Sequence, residues 1–272
     1  MAKSPNWSQE EIDFLREFYP NNGIRWCAER LPLRTEGAVN CEACILGIKR
    51  NDDRGFTDYF KNIDTEDKAY WLGFLFADGC VGDIKVSLSQ SERYVVDDFQ
   101  KSIGCNYKVR TVYGKEHAFR DGKIYTSKTH YCVEIPSVDM ANDLRRHGCV
   151  NKKSLVLEYP DHLNEHLRHH FARGYFDGDG CIHGGMFNEH IVVAGTQNFI
   201  EAIAKSCEIL SKYSIHKQGN IHTCHISSVQ AMNFMEWMYS GATIFLKRKK
   251  DKYDALVSSR ENSKEGKWCR HY

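Results

Sequence analysis

The sequence predicts an α+β protein built from two copies of one antiparallel unit, preceded by a small helical module. Three observations predict it. A segment recurs about a hundred residues along the chain. Each copy runs on into alternating strand patterns and apolar-faced helices, and the first fifty residues have a purely helical texture.

In the leading module, Ser8 followed three residues later by Glu11 reads as a capping box, with Ile12, Leu15 and Tyr19 at helical spacing. The run Pro20, Asn21, Asn22, Gly23 breaks that helix. A second helix over 24–31 stops before Pro32. Thr35 caps a third, whose inner side is Ala38, Val39, Ala43 and Leu46, ended by Gly47. Three short helices with tight turns make a helix-turn-helix unit over 1–50, followed by a polar linker over 51–63. The single CxxC, Cys41 and Cys44, has no partner motif nearby for zinc, so helix packing is expected of it.

The repeat follows. YWLGFLFADGCV at 70–81 matches FARGYFDGDGCI at 171–182, pairing Gly73 with Gly174, Asp78 with Asp179 and Cys80 with Cys181. Further on, IPSV at 135–138 matches ISSV at 226–229, with the offset reduced by loop insertions. Strands are expected over 84–88, 131–135, 191–194 and 222–226, and helices over 92–103, 138–147, 198–213 and 229–239. The halves are placed at 64–160 and 161–256, with a tail at 257–272.

Composition narrows the function classes. The 272 residues carry 37 basic and 36 acidic side chains, a formal charge of +1, so any nucleic-acid surface must come from local clusters such as 152–153 and 247–250. No apolar run reaches the ~20 residues of a membrane span, and the start has no apolar signal core. With 11 cysteines, an odd number, reduced thiols in a cytoplasmic setting are expected.

Asp78 and Asp179 close apolar helices, each followed by a glycine at the expected left-handed position, Gly79 and Gly180. The helix dipole is negative there, so an acid is mildly disfavoured, and two such ends brought together by a twofold would concentrate charge. A bound divalent cation offsets that cost, and Mg²⁺ takes carboxylate oxygens and water. Gly73 and Ala77, and Ala172, Gly174 and Gly178, allow close approach of the two helices.

WLGFLFADG and ARGYFDGDG resemble the LAGLIDADG motif of homing endonucleases in the single-chain, two-motif form, over about residues 64–256. The resemblance implies a saddle of two αββαββα halves with pseudo-twofold symmetry. Its motif helices form the central interface, and its sheets line the major groove of a double-stranded DNA target with two half-sites, bound by a monomer. It implies site-specific, metal-dependent double-strand cleavage with two or three Mg²⁺, Mn²⁺ substituting, held by Asp78, Asp179, Gly79 and Gly180. Gln90 and Gln197 match the residues that order water near the metals. Lys153, 75 residues past Asp78, and Lys249, 70 past Asp179, match the basic residue of each half, with Lys152, Lys247 and Arg248 as neighbours able to take that role. Sheet residues Lys85, Ser87, Lys108, Arg110, Thr223 and His225 are candidates for base contact. The leading module resembles helix-turn-helix modules attached to phage and mobile-element nucleases through Trp7, Arg34, Thr35, Ala38, Val39, Leu46, Gly47 and Ile48. Arg34, Asn40 and Lys49 are its candidates for DNA contact. A catalytically silent DNA- or RNA-binding protein on the same scaffold is the alternative, separated from the nuclease by metal-dependent cleavage.

Overall fold

A computed structural model describes residues 6–48, 56–118, 124–151, 153–185 and 187–268. The chain forms two compact units, dividing after residue 55.

In the smaller unit, α1 (Gln9–Arg30) starts on the expected capping box: Ser8 Oγ accepts from the Glu11 amide at 3.2 Å, and the Glu11 carboxylate accepts from the Ser8 amide at 2.9 Å. Gly23, at φ 77°, splits α1 into two helical segments, a conformation that costs a residue without Cβ little. α2 (Glu36–Ile45) is capped by Thr35. Leu15, Tyr19, Cys27, Leu31, Val39 and Ala43 form the core of the unit. Cys41 and Cys44 are exposed, contrary to the packing role expected of them, because the buried face of α2 runs through Val39 and Ala43 at i, i+4 spacing.

The larger unit begins earlier than the expected linker end. Phe56, Phe60 and Ile63 are buried in its core, so only the part of the linker before residue 56 lies outside it. Its first half runs α3 (Glu66–Asp78), β1 (Gly79–Val81), β2 (Val86–Gln90), α4 (Arg93–Ile103), β3 (Arg110–Val112), β4 (Glu116–Ala118), β5 (Ile124–Thr126), β6 (His130–Ile135) and α5 (Val138–Arg146). Its second half runs α6 (Arg168–Asp179), β7 (Cys181–His183), β8 (His190–Gly195), α7 (Gln197–Ser206), β9 (Ser214–Gln218), β10 (Ile221–Ser227) and α8 (Val229–Tyr239). With the β4-β5 hairpin set aside as an insertion, both halves read αββαββα. Both sheets are antiparallel with equivalent strand orders, β1-β2-β6-β3 and β7-β8-β10-β9. The hairpin, a separate two-stranded sheet, lengthens the first copy and explains the drift in the repeat offset.

Alternation sets the faces of both sheets. Val86, Leu88, Val133 and Ile135 in the first, and Ile191, Val193, Cys224 and Ile226 in the second, are buried in the core under the helices. Ser87, Ser89, Cys132 and Glu134, and Val192, Ala194, Thr223 and His225, share the opposite faces. α7 ends at Ser206 rather than 213, where turns take over and bury Cys207 and Leu210. The expected tail is not separate either: α9 (Lys247–Trp268) runs through it, and Arg260 pairs with the carboxylate of Glu189 at 2.6 and 2.7 Å. No helix among the described residues is long and apolar enough to cross a membrane.

Candidate active site

The site is built on the contact between α3 and α6. A Cβ on Gly73 would collide with the Phe171 carbonyl and come within 2.9 Å of the Tyr175 nitrogen. A Cβ on Gly174 would collide with the Tyr70 carbonyl and come within 2.9 Å of the Phe74 nitrogen. Each residue in one contact is the repeat equivalent of its counterpart in the other. The two backbones therefore touch across a local twofold, a distance only glycine permits.

That contact brings the two helix ends together. A Cβ on Gly178 would lie 3.1 Å from Asp78 Oδ2, and Asp78 is the second-largest influence raising the Asp179 carboxyl. Both acids are pushed above the usual carboxylate range, first because surrounding protein displaces water from them. Lys153, Lys249 and, at Asp78, Arg248 pull the other way. Asp78 is half-buried, while Asp179 opens to solvent at the rim of a cavity lined by Phe76, Ala77, Lys153, Tyr175, Ala194 and Gly195.

Gly79 and Gly180 are extended, at φ −76° and −79°, not left-handed as expected. Glycine is needed there for space: a Cβ would come within 2.7 Å of the Leu75 carbonyl oxygen or 2.6 Å of that of Phe176.

Lys153 and Lys249 hold equivalent stations. Lys153 Nζ donates to the Leu75 carbonyl at 2.8 Å and to the Gly79 carbonyl. Lys249 Nζ donates to the carbonyls of Phe176 and, at 2.8 Å, Asp177. Each ammonium thus sits on carbonyls at the C-terminal end of a motif helix, where the dipole favours a cation. Lys249 is 4% exposed, and burial brings it down to about 8. The Gly79 carbonyl, expected as a metal ligand, is taken by Lys153, and a second cation there would face an ammonium.

Gln90, at the end of β2, donates from Nε2 to Asp78 Oδ2 at 2.5 Å. Gln197 is not its counterpart. Gly79 pairs with Leu88, and extending the β7-β8 register pairs Gly180 with Val193, so the equivalent of Gln90 is Gly195. Gln197 lies two residues beyond, exposed on the first turn of α7. Tyr175 fills the vacated space: its hydroxyl donates to the Ala194 carbonyl at 2.7 Å and lies against the Asp179 carboxyl. Sequence reasoning missed it, although the repeat pairs Tyr175 with Phe74 and so marks one added hydroxyl.

Asp177, a second acid near the end of the second motif helix, is fully buried where the first motif has Phe76. It accepts from the hydroxyls of Tyr239 at 2.6 Å and Tyr70 at 3.0 Å, and from the Leu246 amide at 2.7 Å, fixing the entry to α9 and with it Lys249. Beside it Arg173, entirely buried, donates to the Ile244 and Met238 carbonyls and to Glu66 at 2.6 Å, tying α6 to the start of α3.

The other sequence candidates scatter. Lys85 and Arg110 both pair with Glu134 on the open face of the first sheet, at 3.0 and 2.8 Å. Ser87 lies between Cys80 and Glu134 there, and Lys108 is exposed just before β3. Thr223 is 6% exposed, covered by its neighbours His216 and His225, and does not present its hydroxyl freely. His225 stands beside it on the open face of the second sheet. Lys247 lies over Tyr94, and Arg248, more than half exposed, pairs with Glu92 at 3.4 Å. In the smaller unit Arg34 is 8% exposed, clamped to Glu11 at 2.7 and 2.8 Å and stacked on Trp7. It is a strut of that unit rather than a DNA contact. Asn40 is exposed on α2. Lys49 and Lys152 lie outside the described residues.

No family model matches the chain. Among curated proteins, DNA-directed RNA polymerase subunit Rpo1C of Methanocaldococcus jannaschii is 24% identical over 205 residues, 73% of this chain. The chain spans 22% of that relative's length. Among solved structures, the homing endonuclease I-WcaI bound to its DNA recognition sequence is similar at a TM-score of 0.46 and 12% identity, covering 78% of this chain and 97% of that one. Full-length DUF199/WhiA from Thermatoga maritima is similar at a TM-score of 0.43 and 14% identity, covering 79% of this chain and 72% of that one. The likeness is one of fold. The larger unit has the duplicated αββαββα topology with touching motif helices that the sequence resemblance implies.

Proposed function

We propose that the chain is a site-specific, metal-dependent double-strand DNA endonuclease. One observation carries the reading: Asp78 and Asp179 are held side by side at the ends of two helices whose backbones touch. Two mutually repelling carboxylates at the negative ends of helices are costly in a purely structural junction. As a donor set they fit a hard cation such as Mg²⁺, or Mn²⁺ with the same oxygens. Among the described residues no third His, Cys, Asp or Glu joins them, which suits an ion that completes its shell with water and substrate phosphate.

When bound, such an ion supplies Lewis acidity at the scissile phosphate and at water. The chain's own groups do the rest. Asp78 and Asp179 would hold the ion through their carboxylate oxygens. Gln90 orients the Asp78 carboxylate, and Tyr175 lies against that of Asp179. Lys153 and Lys249 relieve the carbonyl ends of the motif helices, so that anionic side chains are tolerated there. Arg248, more than half exposed and within the field of Asp78, would meet a phosphate by exchanging Glu92 for it. In hydrolysis a water attacks phosphorus in line, the bond to the 3′ oxygen breaks, that oxygen takes up a proton to leave a 3′ hydroxyl, and the second proton of the water passes to solvent.

A silent DNA-binding protein is favoured by one observation: both lysine ammoniums are committed to helix carbonyls. Incubating the full chain with a randomised duplex library and Mg²⁺, then sequencing the cut ends, separates the two readings. Defined double-strand ends that vanish in Asp78→Asn and Asp179→Asn support the nuclease. Retained duplex binding with no cut in the unaltered protein overturns it.

A further inference from the structure

The open face of the second sheet carries histidine where that of the first carries Glu134 with its two cations. The strand order brings His183 of β7, His190 of β8, His225 of β10 and His216 of β9 into one row. His190 Nε2 and His225 Nδ1 are 2.8 Å apart, with ring centroids at 4.9 Å. His225 and His216 stand edge to face at 4.9 Å, and His183 lies 6.3 Å from His190. Hydroxyls take the remaining nitrogens: Ser227 at His190 (2.9 Å), Thr223 at His225 (3.0 Å) and Ser214 at His216 (3.0 Å). A neutral imidazole has one N–H, so a single proton between the facing nitrogens of His190 and His225 satisfies both rings.

Nothing described on that face rewards a positive charge. β7 offers only the Cys181 thiol besides His183, and Lys217 of β9 alternates to the other side with Ile215. Glu189, at the entry to β8, is occupied by Arg260 of α9, and Lys252 of α9 is spent on the Ile182 carbonyl. Burial, then His190, His216 and His183, hold His225 below its ordinary value. Nor do these residues converge on a metal: among the described residues no three such side chains do.

We infer that this face is a proton-linked contact for a polyanionic duplex: laying phosphates across the row makes charged imidazoles favourable, so binding takes up protons. The inference rests on the reading that the second sheet meets DNA, and it adds that this half of the interface tightens as pH falls. By reciprocity, each proton taken up strengthens binding about tenfold per pH unit while the histidines titrate.

The test is the affinity of the full chain for a random-sequence duplex, measured by fluorescence anisotropy without Mg²⁺ at constant ionic strength, from about pH 8 to about pH 6, where imidazole charges. The expected result is tightening of at least about tenfold. The paired variant His190→Asn, His225→Gln should flatten the slope, whatever its affinity at the alkaline end. NMR titration should show the His225 imidazole moving to higher pKa when duplex is added. Binding that is independent of pH, or equally steep in the paired variant, overturns the proton linkage and leaves the nuclease reading intact. Absence of duplex binding at every pH overturns both.

Discussion

The hydroxyl of Tyr175 occupies the space that Gly195 leaves open: a Cβ on Gly195 would stand 3.2 Å from that oxygen. In the other half the same place holds the amide of Gln90, on Asp78. The two acids are therefore oriented by different chemistry. Tyr175→Phe and Gln90→Leu should each slow cleavage of one strand more than the other. Gel resolution of nicked and linear plasmid should show nicked product building up in both variants, with opposite strands cut first. Y175F should cost about 1 kcal/mol of stability for its lost hydrogen bond.

Gly73→Ala reverses a general rule. Alanine in a helix interior is ordinarily more stable than glycine by ~1 kcal/mol. Here its methyl would enter the Phe171 carbonyl, so G73A should destabilise by about 3 kcal/mol, read from the urea midpoint. G174A should do the same through the Tyr70 carbonyl.

Asp179→Asn should abolish cutting, by at least about a hundredfold, without unfolding the protein. Its folded-state pKa is raised, so the charged form costs stability. That cost is fully present above the folded pKa and disappears as pH falls below the unfolded value. D179N should therefore melt at or above the parent temperature near neutral pH, and the two should converge in acid. Added Mg²⁺ should raise the melting temperature of the parent and not of the variant carrying both D78N and D179N.

Asp177→Leu should be severely destabilising, by about 3 kcal/mol or more, because it strands two buried hydroxyls and the Leu246 amide. Equilibrium unfolding measures it. Phe76→Leu, at the equivalent place in the first motif, removes only apolar contacts and should cost less.

Glu134→Gln frees Lys85 and Arg110 on the open face of the first sheet. Affinity for non-specific duplex should rise several-fold, and the salt dependence of binding should steepen, since more cations then reach phosphates. Titration at two salt concentrations checks both.

The approach of Asp78 to Asp179 was legible because a duplicated motif states its own register: two acids a fixed offset apart on glycine-bearing helices imply a twofold contact. Lys153 and Lys249 share no such offset and came only from the resemblance. The strand faces were legible from alternation, and the capping residues Ser8 and Thr35 from local hydrogen-bond chemistry. Gln197 was misplaced because a shared letter near a strand end does not fix register; the pairing of Gly79 with Leu88 does, and it selects Gly195.

By itself the sequence determined the duplication, the helix and strand periods and the acids at the motif ends, since these rest on local spacing and on repetition. Only the tertiary structure decided which partner each charge meets. Arg34 is spent on Glu11, Lys85 and Arg110 on Glu134, and Lys153 and Lys249 on helix carbonyls. The physical reason is that a charge settles with whatever neighbour lies a few ångströms away, and that distance is set by chain segments tens of residues apart.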